Sequence, residues 1–239
     1  MYCGYCAAEG RVRGVILSDA GVGLERAGIA SLDYLDALGI PAATVDYRSA
    51  RIGDGADLAQ RGRISFVNDT ARHLGCSAGD AAMTCAEKMR SAELSHAQAP
   101  PYEEARTLLL ERPGRPKVWG LDSNSLVTND DIGTIVVTGS HGGVLGGKPA
   151  TALRIDAVAA VYNDAGVGID DAGISRLPAL EARGIAAVTV DAQSARIGDA
   201  RSTWETGTIS HLNGIAQAYG GRVGMTIPAF VEWIFRSVG

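Results

Sequence analysis

Short runs of apolar, β-branched residues alternate along this chain with longer segments whose apolar residues recur every three or four positions. Val15–Leu17 and Ile40–Val45 are runs of the first kind, typical of strands buried on both faces. The segment between them has apolar residues at helical spacing, namely Ile29, Leu32, Leu35 and Leu38. Gly39 follows the last of these, where glycine commonly ends a helix. The pattern therefore predicts a strand, a helix and a second strand.

The same pattern returns later in the chain, at a constant offset of 145 positions. Gly14–Gly75 aligns with Ala159–Gly220 without a gap, and 29 of the 62 aligned pairs are identical. In this second copy, Ala157–Tyr162 and Ile185–Val190 are the predicted strands, and Gly173–Arg183 is the predicted helix. The chain is thus an internal duplication.

The identities between the copies concentrate in three blocks. These are DAGVG (Asp19–Gly23 and Asp164–Gly168), SARIGD (Ser49–Asp54 and Ser194–Asp199) and G-x-I-S-x-x-N (Gly62–Asn68 and Gly207–Asn213). Strands that alternate with helices in this way predict an α/β fold of duplicated βαβ units, with a mostly parallel sheet and helices on both faces, Rossmann-like or flavodoxin-like. Right-handed crossovers place all strand-to-helix loops at one sheet edge, so DAGVG and SARIGD of one copy should be neighbours.

Other segments complete the predicted architecture. We expect helices near Ala56–Leu74, Ala78–Glu93, Glu103–Glu111 and Pro228–Val238, and strands at Lys117–Leu121 and Thr134–Val137. The last helix is apolar and is expected to pack in the core rather than form a dimer interface. We divide the chain into a first α/β repeat (1–95), a connecting segment (96–115) and a second α/β repeat with the C-terminal helix (116–239).

The first copy differs from the second at its start. Met1 aligns with Gly146, so the strand at Thr134–Val137 has no counterpart in the first copy. Met1–Glu9 is then expected to be a helix without a leading strand. Either the first copy has lost one unit or the chain begins late, and the pattern favours a late start.

Composition narrows the classes of function. A net charge of −5 argues against a nucleic-acid protein, which usually has a basic face. No apolar run is long enough to span a bilayer, and MYCGYCAAEG lacks the pattern of a signal peptide, which favours a cytoplasmic protein. Four cysteines do not indicate a disulfide framework. Cys3 and Cys6 form a C-x-x-C, for which a redox pair or half of a zinc site is the alternative to small core-lining residues. No histidine and carboxylate cluster has metal-ligand spacing, so we predict no metal site. The sequence does not identify a cofactor, and it leaves open whether the chain forms a homo-oligomer.

The segment GSHGG, which follows the strand at Thr134–Val137, is the leading candidate for chemistry. Histidine titrates near neutral pH, so His141 is a candidate general acid or base. Ser140 would be a nucleophile or hydrogen-bond donor, and Asp164 would orient the histidine. Gly142 and Gly143 would offer backbone amides to a substrate. A structural role for a histidine between glycines is the alternative.

The repeated blocks offer candidate ligands for an anion. Arg196 and Arg51 carry fork-shaped donors suited to a carboxylate, and Arg196 would hold a substrate carboxylate. The amides around Gly166 and Gly168 could bind an anion, although DAGVG is not the dinucleotide fingerprint. His211 stands only in the second copy, since the first has phenylalanine there. Arg–Asp pairs that fix the loops, and turns capped by aspartate, are the structural alternatives.

The order strand, Ser-His-Gly, strand and Asn163-Asp164-Ala165-Gly166 faintly resembles the caspase-like peptidases over about thirty residues. In that group a His-Gly works with an Ala-Cys after the next strand. Gly166 stands where that cysteine would be, so the resemblance does not imply their chemistry here. The blocks also resemble those of uncharacterised bacterial proteins, which implies no activity.

These features together favour a small-molecule enzyme. We expect a hydrolase that acts on an anionic amide or ester metabolite at a site built around His141. The alternative is a non-catalytic α/β module that binds a metabolite or nucleotide. A third interpretation is a structural subunit that depends on a partner or on preceding residues. No nucleic-acid or membrane partner is expected.

Overall fold

Two β-sheets organise the chain in the computed structural model, which describes residues 2–237. Met1, Val238 and Gly239, which belong to the predicted first and last helices or the terminus, lie outside the described residues. The strands are β1 (Val15–Ser18), β2 (Ala42–Val45), β3 (Ile64–Val67), β4 (Arg106–Leu110), β5 (Val118–Leu121), β6 (Ile135–His141), β7 (Ala159–Asn163), β8 (Ala186–Val190) and β9 (Ile209–Leu212). Their β-branched and alanine-rich sequences suit strands that are packed on both faces.

The sheets confirm the α/β class and its mostly parallel character. The first sheet has the order β1-β2-β3, and the second has the order β4-β5-β6-β7-β8-β9. Strands β5 to β8 are mutually parallel, as are β1 and β2. The antiparallel strands β3, β4 and β9 lie at the sheet edges. Strand β2 of the first copy and its counterpart β8 of the second copy therefore each have a parallel neighbour on one side and an antiparallel neighbour on the other.

Helices connect the strands and cover both sheets. They are α1 (Tyr2–Glu9), α2 (Ser31–Asp36), α3 (Gly55–Arg61), α4 (Asp69–His73), α5 (Ala82–Met89), α6 (Arg176–Glu181), α7 (Ala200–Glu205), α8 (Gly214–Ala218) and α9 (Ile227–Ser237). The Asp54 side chain accepts the Asp57 amide at the start of α3, and Asp199 does the same for Ser202 in α7. The final aspartate of each SARIGD block is thus a helix cap.

Two predicted helices are wrong. The segment Ala56–Leu74 contains helix α3, strand β3 and helix α4, because the run Ile-Ser-Phe-Val pairs with β2. Asn68 ends this strand by accepting the amide of Ala71 at the start of α4. The segment Glu103–Glu111 contains the edge strand β4, which pairs with β5 and with no other strand of residues 2–237. Because β4 is only partly covered, exposed residues alternate with half-buried ones in its sequence, and this pattern resembles the surface of a helix.

The core of the second copy lies on both faces of its sheet. Every residue of β7 and β8 is buried. On one face, Ile135 and Val137 of β6 pack with the apolar side of α9, as expected for a helix that belongs to the core. On the other face, Tyr162 and Leu180 are fully buried in a second cluster. This double coverage holds the carboxyl ends of the central strands in place.

The first copy is less completely covered. Strand β1 corresponds to β7, yet all four residues of β1 are only half-buried. Its one strand partner is β2, whereas β7 lies between β6 and β8. Within residues 2–237, no strand occupies the position beside β1 that β6 occupies beside β7. Among the described residues, the first copy thus lacks a counterpart of β6, as the offset between the copies predicts.

The two copies meet through their DAGVG turns in a reciprocal arrangement. A Cβ added to Gly21 would lie 2.9 Å from the Cα of Gly166, so each glycine leaves room for the other turn. The Leu24 amide donates to the Ala192 carbonyl at 2.8 Å, and the equivalent Ile169 amide donates to Tyr47 at 3.0 Å. Each copy therefore holds the other by the same contacts.

Candidate functional site

Strand β6 runs further than predicted and carries the Ser-His pair in its last two positions. Residues Ser140 and His141 belong to the strand rather than to the loop after it. Beyond them, Gly142 donates to the Asn163 carbonyl at 2.7 Å. The Gly143 amide donates to the His141 side chain at 3.1 Å. Both glycine amides that were predicted to face a substrate therefore already have acceptors.

Ser140 and His141 line a cavity of about 680 Å³ at the seam between the copies. This volume is in the range of sites for small ligands. The walls come from the first copy, from the second copy and from the segment between them. Polar and titratable residues of the walls include Ser18, Ser31, Asp54, Glu104, Asp122, Ser123, Ser125, Ser140, His141, Arg154 and Arg176.

His141 is held as a neutral hydrogen-bond donor. Because its Nδ1 accepts the Gly143 amide, the ring proton belongs on Nε2. Burial lowers the pKa of His141 to about 4, and the neighbouring Arg176 guanidinium contributes to the decrease. The imidazole is therefore uncharged at neutral pH. Among residues 2–237, no side chain or carbonyl accepts a hydrogen bond from Nε2.

Arg176 places a buried positive charge beside this ring. It begins α6 with only 3% of its surface exposed. Its guanidinium donates to the carbonyls of Gly143 at 3.0 Å, Thr151 at 2.8 Å and Ala152, and it lies over the Tyr162 ring at 5.0 Å. No carboxylate of the described chain pairs with it. An uncompensated buried charge makes this wall attractive to anions.

Negatively charged groups line the cavity where β5 ends. Asp122 follows β5, and its two carboxylate oxygens accept the amides of Ala105 at 2.8 Å and Ala200 at 3.0 Å. Burial raises the pKa of Glu104, and the nearby negative charge of Asp122 raises it further. A half-buried carboxyl group with a raised pKa is suited to moving protons near neutral pH.

Arg154 is a cation at the rim of the cavity. It is exposed, and its guanidinium donates to the Ser125 carbonyl at 3.2 Å. Within the described part of the chain, no carboxylate lies within ion-pair distance of it. Its remaining donors face solvent and the cavity, where they are open to a ligand.

The two predicted anion-binding arginines have other partners. Arg51 pairs with Asp170 at 2.9 Å, and Arg196 pairs with Glu25 at 3.0 Å. Both pairs cross from one copy to the other at equivalent positions. Arg196 also pairs with Asp199 at 2.8 Å, within its own loop. The structure thus places both guanidinium groups at the seam, outside the cavity.

The polar groups of the second DAGVG turn also form hydrogen bonds within the protein. The Asp164 carboxylate accepts the amides of Gly166 at 2.9 Å and Ala192 at 3.0 Å, and no described contact joins it to His141. The Gly168 amide donates to the Gly166 carbonyl at 2.8 Å. Because these amides and the carboxylate are satisfied internally, the structure does not bring this turn to the cavity. The contact with Ala192 does confirm that the turn adjoins the loop leading into SARIGD.

His211 lies apart from His141. It belongs to β9, opposite Thr189 of β8 in the strand register. The ring is half-buried, and its Nδ1 has no hydrogen-bond partner among residues 2–237. It does not line the cavity that contains Ser140 and His141. The two histidines therefore do not form one site in this structure.

Comparisons with protein-family models, curated proteins and solved structures find no match for this chain. Within residues 2–237, no group of three histidine, cysteine, aspartate or glutamate side chains is arranged to hold a metal ion. No helix of the described chain is long and apolar enough to cross a membrane.

Sequence reasoning missed four titratable residues of the cavity. Asp122 had a usable signal, since it directly follows a predicted parallel strand. Arg176 had another, because it differs from its first-copy counterpart Ser31, and both residues line the cavity. Glu104 and Arg154 lie outside the repeated segments, so no comparison between copies could identify them.

Proposed function

We propose that this chain is a hydrolase that acts on a small anionic amide or ester bound in the cavity between its two copies. The observation that carries the proposal is His141, a neutral imidazole whose Nε2–H lacks an acceptor beside the buried charge of Arg176. Hydrolysis of an amide or ester builds negative charge on the carbonyl oxygen. A fixed N–H donor next to a positive charge stabilises that oxygen in the transition state.

A carboxyl group in the same cavity supplies the proton transfers. In the ionised form, Glu104 takes a proton from water as the water oxygen bonds to the carbonyl carbon of the substrate. The resulting tetrahedral oxyanion accepts the Nε2–H of His141. When the bond to the leaving amine or alcohol breaks, Glu104 returns the proton to that leaving group. The raised pKa of Glu104 suits both directions of transfer.

Ser140 fits a positioning role in this scheme. Its Oγ accepts the Asn124 amide at 2.8 Å, and its own proton remains available for donation. No described base contacts the hydroxyl, which favours the predicted donor role over the nucleophile role. The anionic group of the substrate is placed at Arg154, whose donors are open, rather than at Arg51 or Arg196.

Two further properties support a small ligand in a reducing compartment. A net charge of −5 disfavours nucleic acid as the partner. Cys3 and Cys6 are exposed free thiols, and Cys76 and Cys85 are buried free thiols. Free thiols are typical of the cytoplasm, which is the location we propose.

The test is a hydrolysis screen with p-nitrophenyl esters and p-nitroanilides of dicarboxylic acids, followed by absorbance. We expect turnover by the wild type and a decrease in kcat/KM of about 100-fold or more for His141→Ala. Glu104→Gln should lower kcat, and Arg154→Gln should raise KM only for substrates that carry the free carboxylate. His73→Ala changes an exposed histidine on α4 and is the matched control.

Two outcomes would count against the hydrolase. Retention of activity by His141→Ala, at an unchanged melting temperature, would remove the imidazole from the mechanism. Saturable binding of the dicarboxylates to wild type without turnover would favour the non-catalytic binding module instead. In that case Arg154→Gln would weaken binding while His141→Ala would leave it intact.

A further inference from the structure

Strand β1 has an open edge that faces the cavity. The amides of Val15 and Asp19 donate toward β2, to Pro41 at 3.0 Å and Val45 at 2.9 Å. Because backbone groups alternate along a parallel strand, the N–H and C=O groups of Ile16 and Ser18 point to the other side. No described strand pairs with that side.

The second copy shows what occupies the equivalent edge. Beside β7, strand β6 pairs in parallel, with Ile135 opposite Ala159 and Val137 opposite Val161. These two side chains share a core with Ile227, Val231 and Ile234 of α9. By the constant offset, the first-copy counterparts of those three residues are Ala82, Ala86 and Met89 of α5.

The first copy has a groove where that core would continue. Ala82, Ala86 and Met89 line it together with Ile16 and Leu58, and its volume is about 300 Å³. Ile16 and Leu58 also line the larger cavity, so the groove and the cavity adjoin at these two residues. The groove thus lies where Ile135 and Val137 pack in the second copy.

A backbone amide marks the far end of the vacant position. In the second copy, Gly198 of the SARIGD loop donates to the Gly139 carbonyl of β6 at 2.7 Å. Its counterpart Gly53 lines the cavity, and its amide has no acceptor among residues 2–237. A Cβ on Gly139 would lie 2.3 Å from the Asp199 nitrogen, so the loop tolerates only glycine there. A strand added beside β1 would therefore need a glycine at the position that lies against Gly53, as Gly139 lies against Gly198.

Charge defines the near end of the groove. Arg13 and Arg90 line it just before β1 begins, where a parallel strand would also begin, and Arg90 is already paired with Glu87 at 3.0 Å. Arg13 donates only to the Ala92 carbonyl, at 2.6 Å, and no described carboxylate pairs with it. In the second copy, Asp130 and Asp131 precede β6. An acidic residue ahead of the added strand would therefore complement this end.

We propose that the open edge of β1 binds an extended polypeptide segment as an added parallel strand. Such a segment carries an acidic residue, then two β-branched residues two positions apart, then a glycine two positions further on. Backbone pairing with Ile16 and Ser18 supplies affinity, and the groove and Gly53 supply specificity. This binding goes beyond the proposed hydrolysis and does not depend on it.

The test uses a fluorescein-labelled peptide with the sequence of residues 130–141, added to the full chain and followed by fluorescence anisotropy. We expect saturable binding that weakens at least about tenfold for Ala86→Trp, which fills the groove. Thr84→Trp changes an exposed position of α5 outside the groove and should bind as the wild type does. A peptide with Gly139→Ala should bind at least about tenfold more weakly than the parent peptide.

Three results would overturn the proposal. One is the absence of saturable binding by wild type, and another is equal binding of the Gly139→Ala peptide. A third is a dimer in light scattering that Ala86→Trp dissociates while the peptide does not bind, which would assign the edge to a second copy. Circular dichroism confirms that each variant is folded. Peptide binding is measured without any hydrolysis step, so a failed hydrolysis screen would leave this proposal standing.

Discussion

Acid should destabilise this protein through the half-buried imidazole of His141. In the folded chain the pKa of His141 is about 4, against 6.5 for an ordinary histidine. The unfolded chain therefore binds a proton below about pH 6.5, whereas the folded chain does not until about pH 4. The stability that the neutral ring allows is fully present above pH 6.5 and is lost as the pH falls toward 4.

The magnitude follows from the difference between the two pKa values. Each unit is worth about 1.4 kcal/mol, so the complete loss is about 3 kcal/mol below pH 4. Between about pH 7.5 and about pH 5, where few carboxylates titrate, the expected loss is about 2 kcal/mol. Solvent that reaches part of the ring reduces this figure, because it hydrates the charged form.

Urea denaturation at both pH values measures the effect. His141→Gln cannot bind the proton, so its free energy of unfolding should fall by about 2 kcal/mol less than that of the wild type. His73→Gln changes an exposed histidine and should behave as the wild type does. Identical losses for wild type and His141→Gln would refute the reasoning. Arg176→Met removes the neighbouring positive charge, so the pKa of His141, followed by NMR, should rise.

The seam between the copies supports two more predictions. Gly21→Ala should cost more than about 2 kcal/mol of unfolding free energy, since its Cβ would lie 2.9 Å from Gly166 and its φ is 73°. Gly39→Ala, at a φ of 66° with nothing nearby, should cost only about 1 kcal/mol, and equal costs would argue against the close approach. Asp170→Asn removes the negative charge that pairs with both Arg51 and Arg61, so we expect a lower urea midpoint whose change shrinks in about 1 M salt. A salt-independent change would point to packing instead.

Periodicity predicted the parts of the fold whose burial is uniform. The strand at Ala186–Val190 is buried at every position, and the buried residues of the helix at Ile227–Ser237 are all apolar, so each signal is local. Arg106–Leu110 and Ile64–Val67 were assigned to helices because edge strands are short and only half-covered. Their partners lie elsewhere in the chain, where no window of sequence includes them.

The site could be predicted only in part, for a related reason. Ser140 and His141 are the last two residues of a strand in the parallel sheet, and the carboxyl ends of parallel strands collect at one edge, so their place in a cavity was predictable. Arg51 and Arg196 were assigned to a ligand because an arginine in a glycine-rich loop looks the same whether its partner is a substrate or a protein carboxylate. Asp170 and Glu25 belong to the opposite copy, so reasoning within one copy could not identify them, whereas the Arg196–Asp199 pair within one loop is the structural alternative that the sequence offers.

The reciprocal contacts across the DAGVG turns have an evolutionary consequence. In an isologous, two-fold homodimer every contact occurs twice: residue i of one subunit contacts residue j of the other, and residue j of the first contacts residue i of the second. Leu24 with Ala192 and Ile169 with Tyr47 obey this rule within a single polypeptide. A symmetric dimer must present identical walls to any pocket on its axis. Fusion of the two subunits removes that constraint, so one wall carries Arg176 while the other carries Ser31.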